Sequence, residues 1–383
     1  MQKHVSAPRK LNRVAEPLLI RRVDAIPMAL PLKAPVAMSG ITIATTQDLL
    51  VRIEAADGTV GWGETASAPT MTGDTLGGLV AAVRDHLAPL LVGQDAWTRT
   101  KLAPKLRRAL VGNTGAHSAV QGALLDLAGR ASGQRLIDLV GTRRRGTVRP
   151  MWLLGQPTPE EDIAEARAKE AEGIHFFKLK IGVKPLAAEI AATLAMRDAL
   201  GPAPTLCADA NCGMTLAQAR RYVERTRGAN LLFVEQPLPP DDLAGLKSLA
   251  RASRPPIGID EGIRAIADIE THAKAGAGGV SLKLGKLGGF IGALEAAKVC
   301  RRLRLKVNVA ARMAESSIAS AAAIHLACAV PNIDWGVSLT HFYLVEDLVR
   351  RPLALRDGHV ALPDGPGLGS EVNESAVERF RVR

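Results

Sequence analysis

Hydrophobic and polar positions change rhythm twice along the chain. Between about residues 17 and 65 the pattern is strand-like: LLIRRVDAIPM, a loop punctuated by Pro and Gly, then DLLVRIEAADGTVGWGE, where Asp57-Gly58 marks a hairpin turn. From about 74 to 140 apolar residues recur at helical spacing, in LGGLVAAVRDHLAPLL and HSAVQGALLDLAGRASG. Strands followed by helices predict an α+β unit. After Gly141 eight short β-rich runs follow: RPMWLLG, FFKLKIG, PTLCADA, LLFVEQP, PIGIDEG, GVSLKLG, KVNVAAR and NIDWGVS. Their spacing of roughly 25 to 30 residues is that of βα units in a parallel barrel. Between them lie crossover helices such as PEEDIAEARAKEAEGI and TLAQARRYVERTRG. Two start with capping boxes, Thr158 with Glu161 and Thr215 with Gln218. A doubly wound open sheet is the rival, and the regular count of eight favours closure.

Composition narrows the function classes. The chain has 383 residues, 47% of them hydrophobic, enough for a two-part globular protein with a large core. Forty-nine basic against 38 acidic side chains give a formal +11, which suits nucleic acid, an anionic surface or a carboxylate substrate. Only 3% aromatic residues argue against a nucleic-acid stacking platform. The Arg143–Arg145 cluster reads as a solvated loop. No run approaches 18 uncharged apolar residues, so no membrane span is expected. Cys207, Cys212, Cys300 and Cys328 form no CxxC pair and read as reduced thiols of a cytoplasmic protein. The basic N-terminus lacks a signal-peptide core and predicts a disordered tail over residues 1–16. Gly365, Gly367 and Gly369 in PDGPGLGSE lack GxGxxG spacing and read as a turn.

One strand carries a charge problem. In HFFKLKIG, Lys178 and Lys180 project from the same face, because strand side chains alternate. They start about 6.6 Å apart and, at an effective dielectric of ~20, repel by ~2.5 kcal/mol. Such a pair needs negative charge opposite it. Catalytic groups of α/β barrels come from the C-terminal ends of strands. At five successive strand ends this chain places Lys180, Asp209, Glu235, Asp260 and Lys283. Taken singly, Asp209 reads as a turn residue, Glu235 as a loop acid, Asp260-Glu261 as a helix start, and Lys283 and Lys286 as snorkelling surface lysines. Taken together, three converging carboxylates need cations or a hard metal among them, and an all-oxygen set suits Mg²⁺.

These motifs, KLK at 178–180, DAN at 209–211, EQP at 235–237, DE at 260–261 and KLGKLGG at 283–289, resemble those of the enolase superfamily, in its muconate lactonizing enzyme subgroup. GWGE at 61–64, MTGDT at 71–75 and PGLG at 366–369 are also similar to family stretches. The resemblance covers nearly the whole chain. It implies an α+β capping domain (17–145) over a modified (β/α)7β TIM barrel (146–340), with a C-terminal segment (341–383) returning to the cap. It further implies Mg²⁺, with Mn²⁺ as the alternative, held by Asp209, Glu235 and Asp260. Lys180 and Lys283 become acid/base groups on opposite faces of a small carboxylate substrate, and Lys178 assists through the substrate carboxylate or by depressing the pKa of Lys180. The implied enzyme is an isomerase, a homo-oligomer, that moves a proton α to a carboxylate through an enolate. It acts as a cycloisomerase or a racemase/epimerase; a dehydratase, an N-acylamino acid or dipeptide epimerase and a non-catalytic metal-binding barrel are the alternatives.

Departures sharpen the expectation. NVAARMAESS at 308–317 has no His where the mandelate racemase subgroup carries its base, and Glu315 falls where many relatives place an acid beside the substrate. Aligned through HFYLVED, Val337 and Leu339 occupy the positions of the Asp pair with which dipeptide epimerases grip an ammonium group, which disfavours such substrates. Gly262 replaces a frequent Ser. The pocket should be closed by cap loops from about Ala29 to Thr42 and Ala66 to Thr75.

Overall fold

The computed structural model describes residues 16–38, 41–313 and 315–382. Apart from Glu16, the tail expected over 1–16 lies outside them. Strands β1 (Ile20–Met28), β4 (Asp48–Ala55) and β5 (Val60–Ala66) form an antiparallel sheet in the order β1-β4-β5. The expected hairpin joins the last two: Gly58 sits at φ +87°, and Thr59 N–H donates to Asp57 Oδ1. Between β1 and β4, where the sequence predicts a loop, β2 (Pro31–Met38) and β3 (Ile41–Thr45) pair as an antiparallel ribbon. Its β-branched residues outweigh its prolines, which a ribbon edge tolerates.

The helical stretch then runs through α1 (Leu76–Ala81), a π-helical segment at Ala82–Leu87, α2 (Ala88–Leu91), α3 (Arg99–Ala109), α4 (Thr114–Ser132) and α5 (Leu136–Val140). Pro89 has no N–H for the carbonyl four residues earlier, and the helix widens just before it. Helix α4 packs on β5 at backbone contact. Gly61 and Gly63 point at it from one face of the strand: a Cβ on Gly61 would lie 2.3 Å from Ala123 O, and one on Gly63 2.0 Å from Ala119 O. Trp62 and Glu64 take the other face. GWGE is therefore an alternation of two glycines that admit a helix and two side chains that point away from it.

Next come the short β6 (Thr147–Val148) and the eight strands expected from the spacing: β7 (Pro150–Leu154), β8 (Phe176–Lys180), β9 (Thr205–Asp209), β10 (Val234–Glu235), β11 (Ile257–Ile259), β12 (Gly279–Leu282), β13 (Lys306–Ala310) and β14 (Val337–Ser338). They close a parallel barrel in chain order, β14 pairing with β7. Helices α6 (Pro159–Ala171), α7 (Leu186–Leu200), α8 (Leu216–Arg225), α9 (Leu243–Ala252), α10 (Ile266–Lys274), α11 (Phe290–Arg302) and α12 (Ser317–Ala329) connect them, and β14 is followed by a short 3-10 turn at His341–Tyr343 in place of an eighth crossover helix. Both expected capping boxes form, on α6 and α8. Met151, Cys207, Phe233 and Trp335 fill the barrel, Phe233 stacked on Trp335 with ring centroids 4.1 Å apart. The chemistry is left to the opposite, C-terminal end.

Beyond the barrel, β15 (Leu355–Arg356) pairs with β16 (His359–Ala361), which pairs with β6, and α13 (Glu374–Phe380) brings the chain back to β1, where Val382 N–H donates to Pro27 O. PDGPGLG is a turn, as expected. Gly367, at φ +65°, presses against Gly129 of α4, and Asp126 accepts from Leu368 N–H. Arg143–Arg145 lies in a loop with Arg143 and Arg144 exposed, as expected, but Arg144 and the half-buried Arg145 are also tied down. Arg144 Nε donates to Ala329 O, and Arg145 to Val330 O and Pro331 O, so these side chains satisfy carbonyls at the end of α12. All four cysteines are free thiols. Among the described residues no helix is long and apolar enough to cross a membrane.

Candidate active site

The strand ends converge as the barrel closes. Lys180, Asp209 and Glu235 are the last residues of β8, β9 and β10, and Asp260 and Lys283 directly follow β11 and β12. Lys178 and Lys180 share the inner face of β8 and line one cavity of about 260 Å³ with Asp209, Asp260 and Lys283. Because β8 and β12 are four strands apart in a closed ring of eight, Lys180 and Lys283 stand on opposite walls.

The repulsion expected between Lys178 and Lys180 is met by separate acids. Lys178 Nζ lies 2.5 Å from Glu235 and 3.9 Å from Asp209, and Lys180 Nζ lies 2.7 Å from Asp209 and 2.7 Å from Asn211 Oδ1. Burial alone would pull Lys178 down, but Glu235 and Asp209 hold it above its ordinary value, so it stays cationic. Lys283 Nζ is 2.7 Å and Lys286 Nζ 2.5 Å from the carboxylate of Asp260. Against the penalty of burial, these two ammonium groups hold Asp260 below the usual carboxylate range. Lys283 is raised, its burial outweighed by Asp260 and Glu261. Lys286, read from the sequence as a surface lysine, is only 1% exposed and also donates to Asp260 O. The second Lys of KLGKLGG, three residues after the first, was its only signal.

Second elements of the motifs orient the first. Gln236, of EQP, accepts from the N–H groups of Asp260 and Gly262 and donates to Leu238 O, fixing the neighbouring loop. Asn211, of DAN, donates to Glu261 Oε1. Asn211, Cys212 and Gln236 all have φ between +38° and +65°, a conformation stored where the strands turn over the site. At Gly262 a Cβ would lie 2.6 Å from both His272 Nε2 and Ile259 Cγ2, so a side chain there would displace its neighbours.

Among the described residues no three His, Cys, Asp or Glu side chains are grouped so as to hold a metal ion. The carboxylates of Asp209, Glu235 and Asp260 each take a lysine, since a buried acid needs the nearest counter-charge. In donor chemistry the set nevertheless fits a hard divalent cation: three carboxylates, each at most 3% exposed, on neighbouring strands. Beside them Glu261 Oε2 is buried without a partner, and burial with Asp260 and Asp209 pushes Glu261 up to about 7.

The cap supplies one wall. Residues 66–71 line the cavity, within the expected 66–75 loop, whereas Ile41 to Gln47, in β3 and just after it, overlap the expected 29–42 only at Ile41 and Thr42. At β14 and the two residues after it, Ser338 and Thr340 line the cavity, not Val337 and Leu339, which face the core. The expected alignment is one residue off, and in a strand that exchanges faces. Neither Ser338 nor Thr340 is an acid. Glu315 does not line the cavity; it accepts from Ala66 N–H and Arg312 N–H at the junction of cap and barrel.

Glu315 belongs to a buried acid group with Asp48 and Glu64. Burial and then Glu315 push Glu64 up to about 8, although Ser316 and Ala319 donate to it. Asp48, with one hydroxyl donor from Thr46 and Oδ1 unpartnered, is raised well above its ordinary value by burial and by Glu64. With a single hydroxyl donor, it is the member of the group most strongly driven toward its protonated form. The unfolded chain loses that proton near pH ~4, so this contribution to stability is complete below that pH. It is lost as pH rises, at roughly 1.4 kcal/mol per pH unit. Asp48→Asn, which still accepts from Thr46, should flatten urea-unfolding stability between pH 5 and 9 and exceed wild type at pH 9. Parallel pH profiles for the two proteins would refute the assignment.

A closed parallel barrel, capped by a sheet-and-helix unit and carrying lysines and carboxylates at its strand ends, defines the enolase-superfamily class. Residues 161–376 match the family model described as enolase C-terminal domain-like, and residues 21–141 match the mandelate racemase/muconate lactonizing enzyme N-terminal domain. The chain is 32% identical to muconate cycloisomerase 1-2 of Acinetobacter lwoffii, over 96% of this chain and 97% of that protein. It is also 32% identical to muconate cycloisomerase 1 of Pseudomonas putida, over 96% and 99%. The crystal structure of muconate lactonizing enzyme from Pseudomonas fluorescens complexed with muconolactone superposes with a TM-score of 0.92 at 28% identity, covering 96% of this chain and all of that one. The chain belongs to the mandelate racemase/muconate lactonizing enzyme family. It is a muconate-cycloisomerase-like enzyme, an isomerase of the enolase superfamily.

Proposed function

We propose that this protein is a Mg²⁺-dependent cycloisomerase of a muconate-type dicarboxylate. One carboxylate oxygen adds to a carbon–carbon double bond conjugated with the second carboxylate. The electron pair moves onto that carboxylate as an enolate, and Lys180 delivers a proton to the α-carbon. The product is an isomer, so nothing leaves, and Lys180 recovers its proton from solvent. Lys178 and Lys283, cationic and facing the same cavity, offset the charge that develops. Ser338 Oγ, buried in the cavity wall without a partner, offers a hydrogen bond to a substrate oxygen. Asp209, Glu235 and Asp260 would hold the ion; when bound, it would supply positive charge to the carboxylate carrying the enolate.

The observation that carries the reading is the opposition of Lys180 and Lys283 across one cavity. The same opposition favours a second reading, racemisation or epimerisation by proton transfer between two faces. The absence of an acid at Ser338 and Thr340 speaks against substrates with a free ammonium group. Solvent-deuterium NMR with Mg²⁺ separates the two. Muconate should yield muconolactone carrying one deuteron at the α-carbon, and a chelator should stop turnover. Exchange only in N-acylamino acids or acid sugars would favour the second reading; no exchange in any carboxylate would sink both.

A further inference from the structure

Arg312 closes the KVNVAAR run and is given no role by any motif above, yet its side chain joins cap and barrel. It follows β13, and both sides of its peptide are anchored: its N–H donates to Glu315 Oε2 at 2.9 Å and its carbonyl accepts from Thr340 Oγ1 at 2.6 Å. The side chain is 3% exposed and runs under the 65–75 loop, and Arg312 itself lines the cavity beside that loop. One arm of the guanidinium, Nη1, donates to Ala66 O at 2.5 Å and Thr65 Oγ1 at 3.3 Å, where the loop leaves β5. The other, Nη2, donates to Asp74 Oδ2 at 2.8 Å and Thr72 Oγ1 at 3.0 Å, where the loop returns to α1. A single planar fork therefore holds both ends of the loop. A lysine, one point charge on a flexible stem, could hold only one.

Two glycines leave room for this arrangement. A Cβ on Gly115 would lie 2.8 Å from Asp74 Oδ2 and 3.2 Å from Arg312 Nη1, and one on Gly285 would lie 2.8 Å from Arg312 Cζ. Gly285 is two residues beyond Lys283. At the tip of the loop, Met71 Sδ is 3.7 Å from Lys283 Nζ. The guanidinium thus touches the loop at both ends and the segment carrying Lys283 at its back.

We propose that Arg312 is a positioning residue that clamps the 65–75 loop against the barrel, forming the Lys283 wall of the cavity before substrate arrives. The inference rests on the reading of that cavity as the active site. Its consequence is specificity by pre-organisation: the substrate meets a finished wall and does not have to order one.

Replacing Arg312 alone strands Asp74 as a buried acid, so the test uses R312M/D74N, which removes both charges, alongside Arg312→Lys. Amide hydrogen exchange followed by mass spectrometry needs no substrate. In R312M/D74N, amides of residues 67–73 should exchange at least tenfold faster, with those of β4 and α4 unchanged; Arg312→Lys should fall between this and wild type. With substrate, KM should rise at least tenfold while kcat changes less than threefold. Unchanged exchange in 67–73, or equal acceleration in β4 and α4, would overturn the clamp in favour of a general structural role. Failure to find a substrate would count against the functional reading and leave the exchange result standing.

Discussion

Lys180→Met should lower turnover at least about a thousandfold and abolish deuterium incorporation at the α-carbon, with the fold intact. General acid–base groups typically supply ~10² to 10⁴ in rate. Here the proton has one delivery point on this wall of the cavity, since Lys178 is sequestered by Glu235 and held above its ordinary value. Folding should survive, because Lys178 still lies 3.9 Å from Asp209 and shields the acid that Lys180 leaves. Lys180→Arg separates the two jobs of the ammonium group. A guanidinium keeps the charge but does not give up a proton near neutrality. Activity of Lys180→Arg above about a tenth of wild type would make Lys180 an electrostatic partner and shift proton transfer to Lys283.

Gly63→Ala should destabilise the protein by about 3 kcal/mol or more. The added Cβ would sit 2.0 Å from Ala119 O and 2.6 Å from Ala123 N. Both are helix backbone, so no rotamer relieves the clash and α4 must move off the sheet. Glu64, next along β5, would shift with it and lose its donors at the start of α12. Gly61→Ala should act in the same way against Ala123 O and Leu127 N, at 2.3 and 2.4 Å. Gly77, where an added Cβ would meet nothing within 4 Å, is the control: Gly77→Ala should leave stability unchanged or slightly higher. Thermal unfolding of Gly63→Ala within about 2 °C of wild type would contradict the contact.

Legibility followed the range of the signal. The eight barrel strands were visible because each is a short apolar run with its own period and turn residues, and βα spacing is itself a local quantity. The five charges at strand ends were visible for the same reason: each interrupts an apolar run at a countable position. The two capping boxes span four residues each and formed where expected. The ribbon β2–β3 was missed because Pro31, Pro35 and Gly40 outweighed its β-branched residues in a purely local reading. Val337 and Leu339 were misassigned because register across a strand is set by its neighbours, and one residue of slip exchanges the two faces.

From its sequence alone, then, this protein declares a barrel with acids and amines at one rim, since strand periodicity and apolar runs are written residue by residue. Only closure of the barrel and docking of the cap decided which amine meets which acid, that Lys286 and Arg312 are buried, and that Glu315 turns away from the cavity. Those pairings join residues between 23 and 249 positions apart. Electrostatic energy depends on distance in space, which the order of residues does not contain.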